Sequence, residues 1–485
     1  MSDFSLWFAA HMLAYVALVI RVLTVEGKEP ASRAAWILIL SFLPGLGIIA
    51  YLLLGEPWIS RRSRRKAIGT VTRLVKAYNV GKTSALEHVP DRFRPAFRAC
   101  EHLAHSGVTN HNTATLTADS NAAIDAMVED FDAAKESIHI SFYIWLTDNN
   151  GLKIVEAVKR AAERGVTCRI IVDGIGSRAL TRSEHWAAMK AAGVQLCVSL
   201  KVSFGLDALL GNRADLRNHR KIVVVDNRLT YCGSQNCADP EFRVKAKYAP
   251  WVDIMLRFEG PVVMQNQLLF AANWLIESNE HLDVAWEAPP QPCTEASTDA
   301  MNSASAAIAF GTGPLSPKGA MSDVFASLLH CAQHEVVISN PYFVPDASLL
   351  SALIGCARRG VQTTLILPQR NDSFVVGAIS KAYYAQLVAA GVKIFEFRGG
   401  LLHAKTLVVD EAVALVGSAN MDRRSLELNF ENNILLHSPD VAKSIRERQN
   451  AWLSDANEVV PDQVIHRSLL RRIGDNVATI FSPVM

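Results

Sequence analysis

Two stretches of the 485-residue chain carry the same polar residues at the same spacing. The first reads His219-Arg220-Lys221-Ile222-Val223-Val224-Val225-Asp226 and is followed by Gly233-Ser234-Gln235-Asn236. The second reads His403-Ala404-Lys405-Thr406-Leu407-Val408-Val409-Asp410 and is followed by Gly417-Ser418-Ala419-Asn420. Each has the form HxKxxxxD with a trailing GSxN. Side chains alternate along an extended strand, so the His and Lys of each copy share one face while the apolar run behind them anchors the strand in a core. A His beside a Lys suits phosphodiester chemistry. The lysines offset charge that builds on the equatorial phosphate oxygens, and Asn236 and Asn420 add neutral donors. A neutral imidazole can attack phosphorus while a protonated one donates to the leaving oxygen, roles that His219 and His403 can divide. Ser234 and Ser418 belong to the same tails and are expected at the substrate. No Asp/Glu cluster suggests a bound metal, so neither a metal nor another cofactor is expected.

A single histidine on a strand is more often structural than catalytic. Here the whole set recurs inside a larger repeat. A strand over residues 137–143, a helical stretch to Arg164-Gly165-Val166 and a strand over 169–173 match residues 335–339, a stretch to Arg359-Gly360-Val361 and a strand over 364–368. Ala191-Ala192-Gly193-Val194 likewise matches Ala389-Ala390-Gly391-Val392, with Gly where a helix should stop. Short apolar runs alternating with helical stretches indicate an α/β fold with a helix-covered sheet. Two such domains are expected, at residues 95–287 and 306–485, in pseudo-twofold arrangement around one pocket. The first copy carries an extra insert over residues 202–216. Residues 288–305, rich in Pro and Ser, read as the linker between copies.

The chain is too long for one small domain. Its balance of 49 Lys and Arg against 47 Asp and Glu, a net +2, gives no support to a nucleic-acid partner. The 8 cysteines form no CxxC pair and read as reduced thiols. Residues 4–20 and 34–54 are free of charge, and the second run is long enough to cross a bilayer, with Pro44, Gly45 and Gly47 bending it. Residues 1–60 are therefore expected to form a transmembrane helical hairpin, joined by a basic linker over 61–94. Arg61, Arg62, Arg64, Arg65 and Lys66 follow directly and place the catalytic part on the cytoplasmic side.

The doubled HxKxxxxD with GSxN resembles the phospholipase D superfamily. Similarity to its bacterial cardiolipin synthases extends over nearly the whole chain, through Arg217-Asn218-His219, Trp251-Val252-Asp253, Asn340-Pro341-Tyr342-Phe343, Asp422-Arg423-Arg424-Ser425 and Asn429-Phe430-Glu431. The ending, residues 481–485, is similar too. That resemblance implies a phosphohistidine on one histidine, with His219 favoured, and acid–base work by the other. It casts Asp226 and Asp410 as supporting members of the catalytic set and puts Glu431 at the substrate. It further implies transfer of a phosphatidyl group between two phosphatidylglycerols at a bacterial inner membrane, with a lipid hydrolase releasing phosphatidic acid as the alternative.

Overall fold

The computed structural model describes residues 3–25, 30–55, 69–74, 84–201, 216–280, 282, 305–465, 473, 474, 477 and 479. The basic cluster at 61–66, nearly all of the 202–216 insert and of the linker, Cys293 and the terminal 481–485 lie outside those residues.

In the first repeat the strands are β1 (Thr109–Leu116), β2 (Ser137–Phe142), β3 (Thr167–Asp173), β4 (Gln195–Ser199), β5 (Ile222–Val225), β6 (Leu229–Gly233), β7 (Trp251–Val252) and β8 (Met255–Glu259). The second contributes β9 (Ser305–Thr312), β10 (Glu335–Ser339), β11 (Gln362–Pro368), β12 (Lys393–Phe397), β13 (Leu401–Leu402), β14 (Thr406–Val409), β15 (Val413–Gly417), β16 (Glu431–His437) and β17 (Ala456–Glu458). Fifteen of these form one sheet in the order β17-β12-β11-β10-β14-β15-β16-β9-β1-β8-β6-β5-β2-β3-β4. Outward from the central β9–β1 pair the two sides repeat: β1, β8, β6, β5, β2, β3, β4 answers β9, β16, β15, β14, β10, β11, β12. The centre is antiparallel, with Thr109 opposite Ala307 and Asn112 opposite Ser305. Asn112 Nδ2 donates to the Ser305 carbonyl at 2.9 Å, which fastens one half to the other.

The motif strands are buried on both faces. Val223 and Val225 pack among the helices Ser120–Ala133 and Asn149–Glu163, while Ile222 and Val224 pack on Val262–Ser278. Each such side chain contributes roughly 1.5–3 kcal/mol of burial, enough to fix the register that aims the preceding histidine. Helix Arg94–Ala104, expected within the first domain, instead buries Phe97 and Cys100 beside Ile308 and Phe310 of the second repeat.

Asp226 and Asp410 stand at the far end of their strands from the histidines, on the order of 20 Å along an extended chain. Each opens a two-residue turn whose central residues both have positive φ, Asp226 and Asn227 at 50° and Asp410 and Glu411 at 50° and 48°. That backbone matches strand twist and suits Asp and Asn. The Asp226 carboxylate accepts the amides of Lys135, Glu136 and Ser137 at 2.8–2.9 Å. Asp410 accepts those of Gln333, His334 and Glu335 at 2.8–3.1 Å, and Arg92 at 2.8 Å. Their grouping with the catalytic set is thus corrected: both tie the motif hairpin to the start of β2 or β10.

At the N-terminus the lengths of the two apolar runs are reversed. Helix Asp3–Thr24 is the long one, about 33 Å at 1.5 Å per residue, against a hydrocarbon core near 30 Å. Its span Trp7–Thr24 is the one helix among the described residues long and apolar enough to cross a membrane. The second run breaks where Pro44 and Gly45 stop the helix Pro30–Phe42, Gly45 taking φ 82°, before Leu46–Ala50. The two pieces still pack as a hairpin through Val22, Trp36, Leu40 and Tyr51. Arg33 ties the second helix to the end of the first by donating to the Leu23 and Val25 carbonyls.

Asp410→Ala should cost on the order of 3 kcal/mol, because three amides and Arg92 lose their acceptor. Thermal unfolding should show the loss, with kcat changed far less at a temperature where the variant is folded.

Candidate active site

Each histidine enters its strand from an extended segment that leans on the opposite half. His219 N donates to the Phe430 carbonyl at 2.9 Å, and His403 N donates to the Val252 carbonyl at 2.8 Å. The residue after each of those carbonyls is an acid, and it meets the same histidine. His219 Nδ1 lies 2.8 Å from Glu431 Oε2, and His403 Nδ1 lies 2.6 Å from Asp253 Oδ1. The pairs cross: an acid of the second repeat holds the imidazole of the first, and the reverse. Both motifs therefore converge on one site.

The GS tails explain themselves here. A Cβ on Gly233 would strike the Ile254 carbonyl, and one on Gly417 the Asn432 carbonyl, so only Gly lets β6 and β15 approach β8 and β16 so closely. The serine that follows then reaches the acid. Ser234 Oγ donates to Asp253 Oδ1 at 2.6 Å, while Ser418 Oγ donates to Glu431 Oε2 and Ser425 Oγ donates to Oε1 at 2.7 Å. Ser234, Ser418 and Glu431, expected against the substrate, stand behind the histidines in the structure, all fully buried.

Lys221 and Lys405 are also buried, each ammonium donating to the carbonyl of its own motif histidine, at 2.7 and 2.5 Å. Asn432 braces the first motif, accepting from Lys221 N at 2.9 Å and donating to its carbonyl at 3.2 Å. Asn236 Oδ1 accepts from Ile144 N at 3.2 Å, whereas the buried Asn420 Oδ1 has no partner. Aromatic rings wall the pocket: Tyr143 stands 5.0 Å from the His219 ring, and Trp251 and Tyr342 stand 4.6 and 6.4 Å from that of His403.

Burial dominates the electrostatics. It lowers Lys221 to about 7, helped by Lys405 and opposed by Glu431, and it lowers Lys405 to about 8. It pushes His219 down to about 4 against the pull of Glu431, and lowers His403 as well. Burial alone would raise Asp253, but His403, Lys405 and the Ser234 hydroxyl outweigh it and hold that carboxyl at about 2. Glu431 is lowered in the same way against burial, by His219, Lys221 and Ser418. An ionised acid facing Nδ1 fixes the tautomer, with the proton on Nδ1 and a lone pair on Nε2.

The site is symmetric in its machinery but not in its walls. Two residues before His219 stands Arg217, paired with Asp173 at 3.1 Å. The matching position before His403 is Leu401, packed with Trp251 and Phe242. Asp253 is the member that the motif reading left out. It follows Val252 as Glu431 follows Phe430, an equivalence that only the backbone contacts to His403 and His219 reveal. Among the described residues no group of His, Cys, Asp or Glu is arranged to hold a metal ion.

The family described as cardiolipin synthase, phospholipase D-like domain, matches residues 127–249 and 325–452, and a phospholipase D-nuclease N-terminal family matches 13–56. Cardiolipin synthase A of Edwardsiella ictaluri is 32% identical over 485 residues, covering 99% of this chain and 98% of that protein. Cardiolipin synthase A of Klebsiella pneumoniae is 33% identical over 479 residues, covering 98% and 97%. Among solved structures, phosphatidylserine synthase of Haemophilus influenzae shares the fold, with a TM-score of 0.56 at 15% identity over 81% of this chain and 100% of that one. A twice-matched domain, a matched N-terminal segment and relatives similar from end to end leave one conclusion: the chain belongs to the cardiolipin synthase family of the phospholipase D superfamily.

Proposed function

We propose that this site transfers a phosphatidyl group from one phosphatidylglycerol to the primary hydroxyl of a second, yielding cardiolipin and glycerol. The crossed imidazole–carboxylate pairs carry the reading, because they bring a nucleophile, an acid and two cations to one phosphate. His219 Nε2, whose imidazole stays neutral at working pH, attacks phosphorus. The bond to the glycerol oxygen breaks as His403, entering the step as the imidazolium whose charge the ionised Asp253 offsets, gives that oxygen its Nε2 proton and is left neutral. The second phosphatidylglycerol then enters, His403 takes the proton of its hydroxyl, the new P–O bond forms and the P–N bond to His219 breaks. Lys221 and Lys405 offset charge on the equatorial oxygens, with Asn236 and Asn420 beside them. Glu431 and Asp253 are positioning residues that hold the tautomer, and Ser234 and Ser418 orient those acids. The long N-terminal helix supports a bilayer location, and the cations at 61–66 support a multi-pass chain in the inner membrane with its catalytic part cytoplasmic.

Incubation with phosphatidylglycerol vesicles should give cardiolipin and glycerol in equal amounts; phosphatidic acid without cardiolipin would replace transfer with hydrolysis. His219→Ala and His403→Ala should each lower kcat by at least about 10³-fold, and only an enzyme that keeps His219 should retain acid-labile phosphate. Glu431→Gln should lower kcat on the order of 10³-fold with KM little changed, since the amide no longer fixes the tautomer. The pH profile has a defined sign. Lys221 loses its proton as pH rises through about 7 and Lys405 through about 8, so kcat/KM should fall on the alkaline side from there. Lys221→Arg should move that limb upward.

A further inference from the structure

Between residues 84 and 458 the described chain exposes four large apolar side chains: Ile175, Val244, Phe374 and Val375. Phe374 is 87% exposed and Val244 67%. All four lie on segments that leave the sheet at one end. Ile175 follows β3, Val244 follows β6, and Phe374 and Val375 follow β11. Strand β3 runs parallel to β2, and β2 antiparallel to β5; β6 is antiparallel to β5 as well. Strand β11 runs parallel to β10, which is antiparallel to β14. The carboxyl ends of β3, β6 and β11 therefore coincide with the end at which His219 and His403 lead into β5 and β14.

These segments join one another and the site. Lys245 beside Val244 pairs with Asp372 at 2.5 Å, linking the loop of one repeat to that of the other. Asp372 also accepts from the Tyr342 hydroxyl at 2.7 Å, and Tyr342 stands against His403. Phe242 stacks on Trp251 at 3.9 Å, and Trp251 lies on the other side of His403. The rim is basic as well as apolar: Arg243, Lys245, Lys247 and Arg370 are exposed around it, against Glu241. The segment Gly69–Leu74, which follows the N-terminal helices, reaches the body at this same end. Its Val71 and Thr72 share a cavity of about 280 Å³ with Ser199, the last residue of β4, and with Arg220.

We propose that this end of the sheet docks on an anionic bilayer surface, with Val244 and Phe374 inserted below the headgroups and Arg243, Lys247 and Arg370 at the level of the lipid phosphates. The occupant follows from the mixture of residues. A protein interface concentrates apolar area and excludes charge from its centre, whereas isolated apolar tips set among cations match an anionic leaflet. Arrival of the anchor at the same end points the rim toward the membrane. This deepens the reading of a lipid transferase, on which it rests, by stating where lipid enters: the pocket opens into the leaflet, so a substrate reaches His403 without crossing water.

Val244→Cys in the full chain, labelled with a bimane and placed in phosphatidylglycerol nanodiscs, tests this directly. Bilayer-borne nitroxides should quench the label, and more weakly when the lipid is phosphatidylcholine. Quenching by aqueous iodide instead would overturn the proposal, as would shielding from both, which means that protein covers the rim. In a second arm, Val244→Ser with Phe374→Ser should lower the ratio of the rate on vesicles to the rate on dispersed short-chain lipid by about tenfold, the effect of withdrawing apolar anchors of this size. An unchanged ratio would overturn it. Neither readout depends on product identity, so formation of phosphatidic acid in place of cardiolipin would sink the transfer reading and leave docking to be judged by the same two readouts.

Discussion

Most of the architecture serves one contact made twice: an imidazole of one repeat donating its Nδ1 proton to a carboxylate of the other. Neither repeat contains a complete pair. The halves must therefore be fixed to each other to a fraction of an ångström, because a hydrogen bond tolerates little more. The structure meets that demand with backbone. The β9–β1 pairing makes the sheet continuous, the β7–β13 pairing and the Asn218–Phe430 bridge lace the two motif entries to the opposite half, and the carbonyls of Phe430 and Val252 hold the histidine amides.

Such a site gathers buried charge before any substrate arrives. Lys221 and Lys405 face Glu431 and Asp253 in a region largely shut from water. Two cations brought this close would repel strongly, and the acids placed behind the histidines temper that repulsion without occupying the space in front. Burial leaves both lysines more easily deprotonated than a lysine in water. A phosphodiester supplies the missing negative charge. Substrate binding would then relieve the repulsion between the two lysines, a form of electrostatic preorganisation.

Much of this was legible in the residues. Doubling of HxKxxxxD and GSxN exposed the repeat, and the alternation along β5 and β14 placed His beside Lys. What stayed hidden depends on long-range contact. Nothing local in Trp251-Val252-Asp253 says that its acid meets a histidine some 150 positions away. Glu431, Ser234 and Ser418 were visible as polar residues near the site, but which side of the imidazole they occupy is decided by strand pairing. The motif Asp was grouped with the catalytic set as a supporting member because it is written beside the catalytic pair; its turn, with two positive φ values, is a property of the hairpin. Helix Arg94–Ala104 could not be assigned to the second core from a position in the first half, since its apolar face fits either.

The two acids that face the histidines differ by one methylene group. A matched pair of repeats would present its imidazoles as equals, and a reaction that needs one to bond phosphorus while the other shuttles a proton gains nothing from equality. With a glutamate at one corner and an aspartate at the other, flanked by Arg217 on one side and Leu401 on the opposite, the two imidazoles stand in unequal surroundings, which is what the proposed division of roles requires.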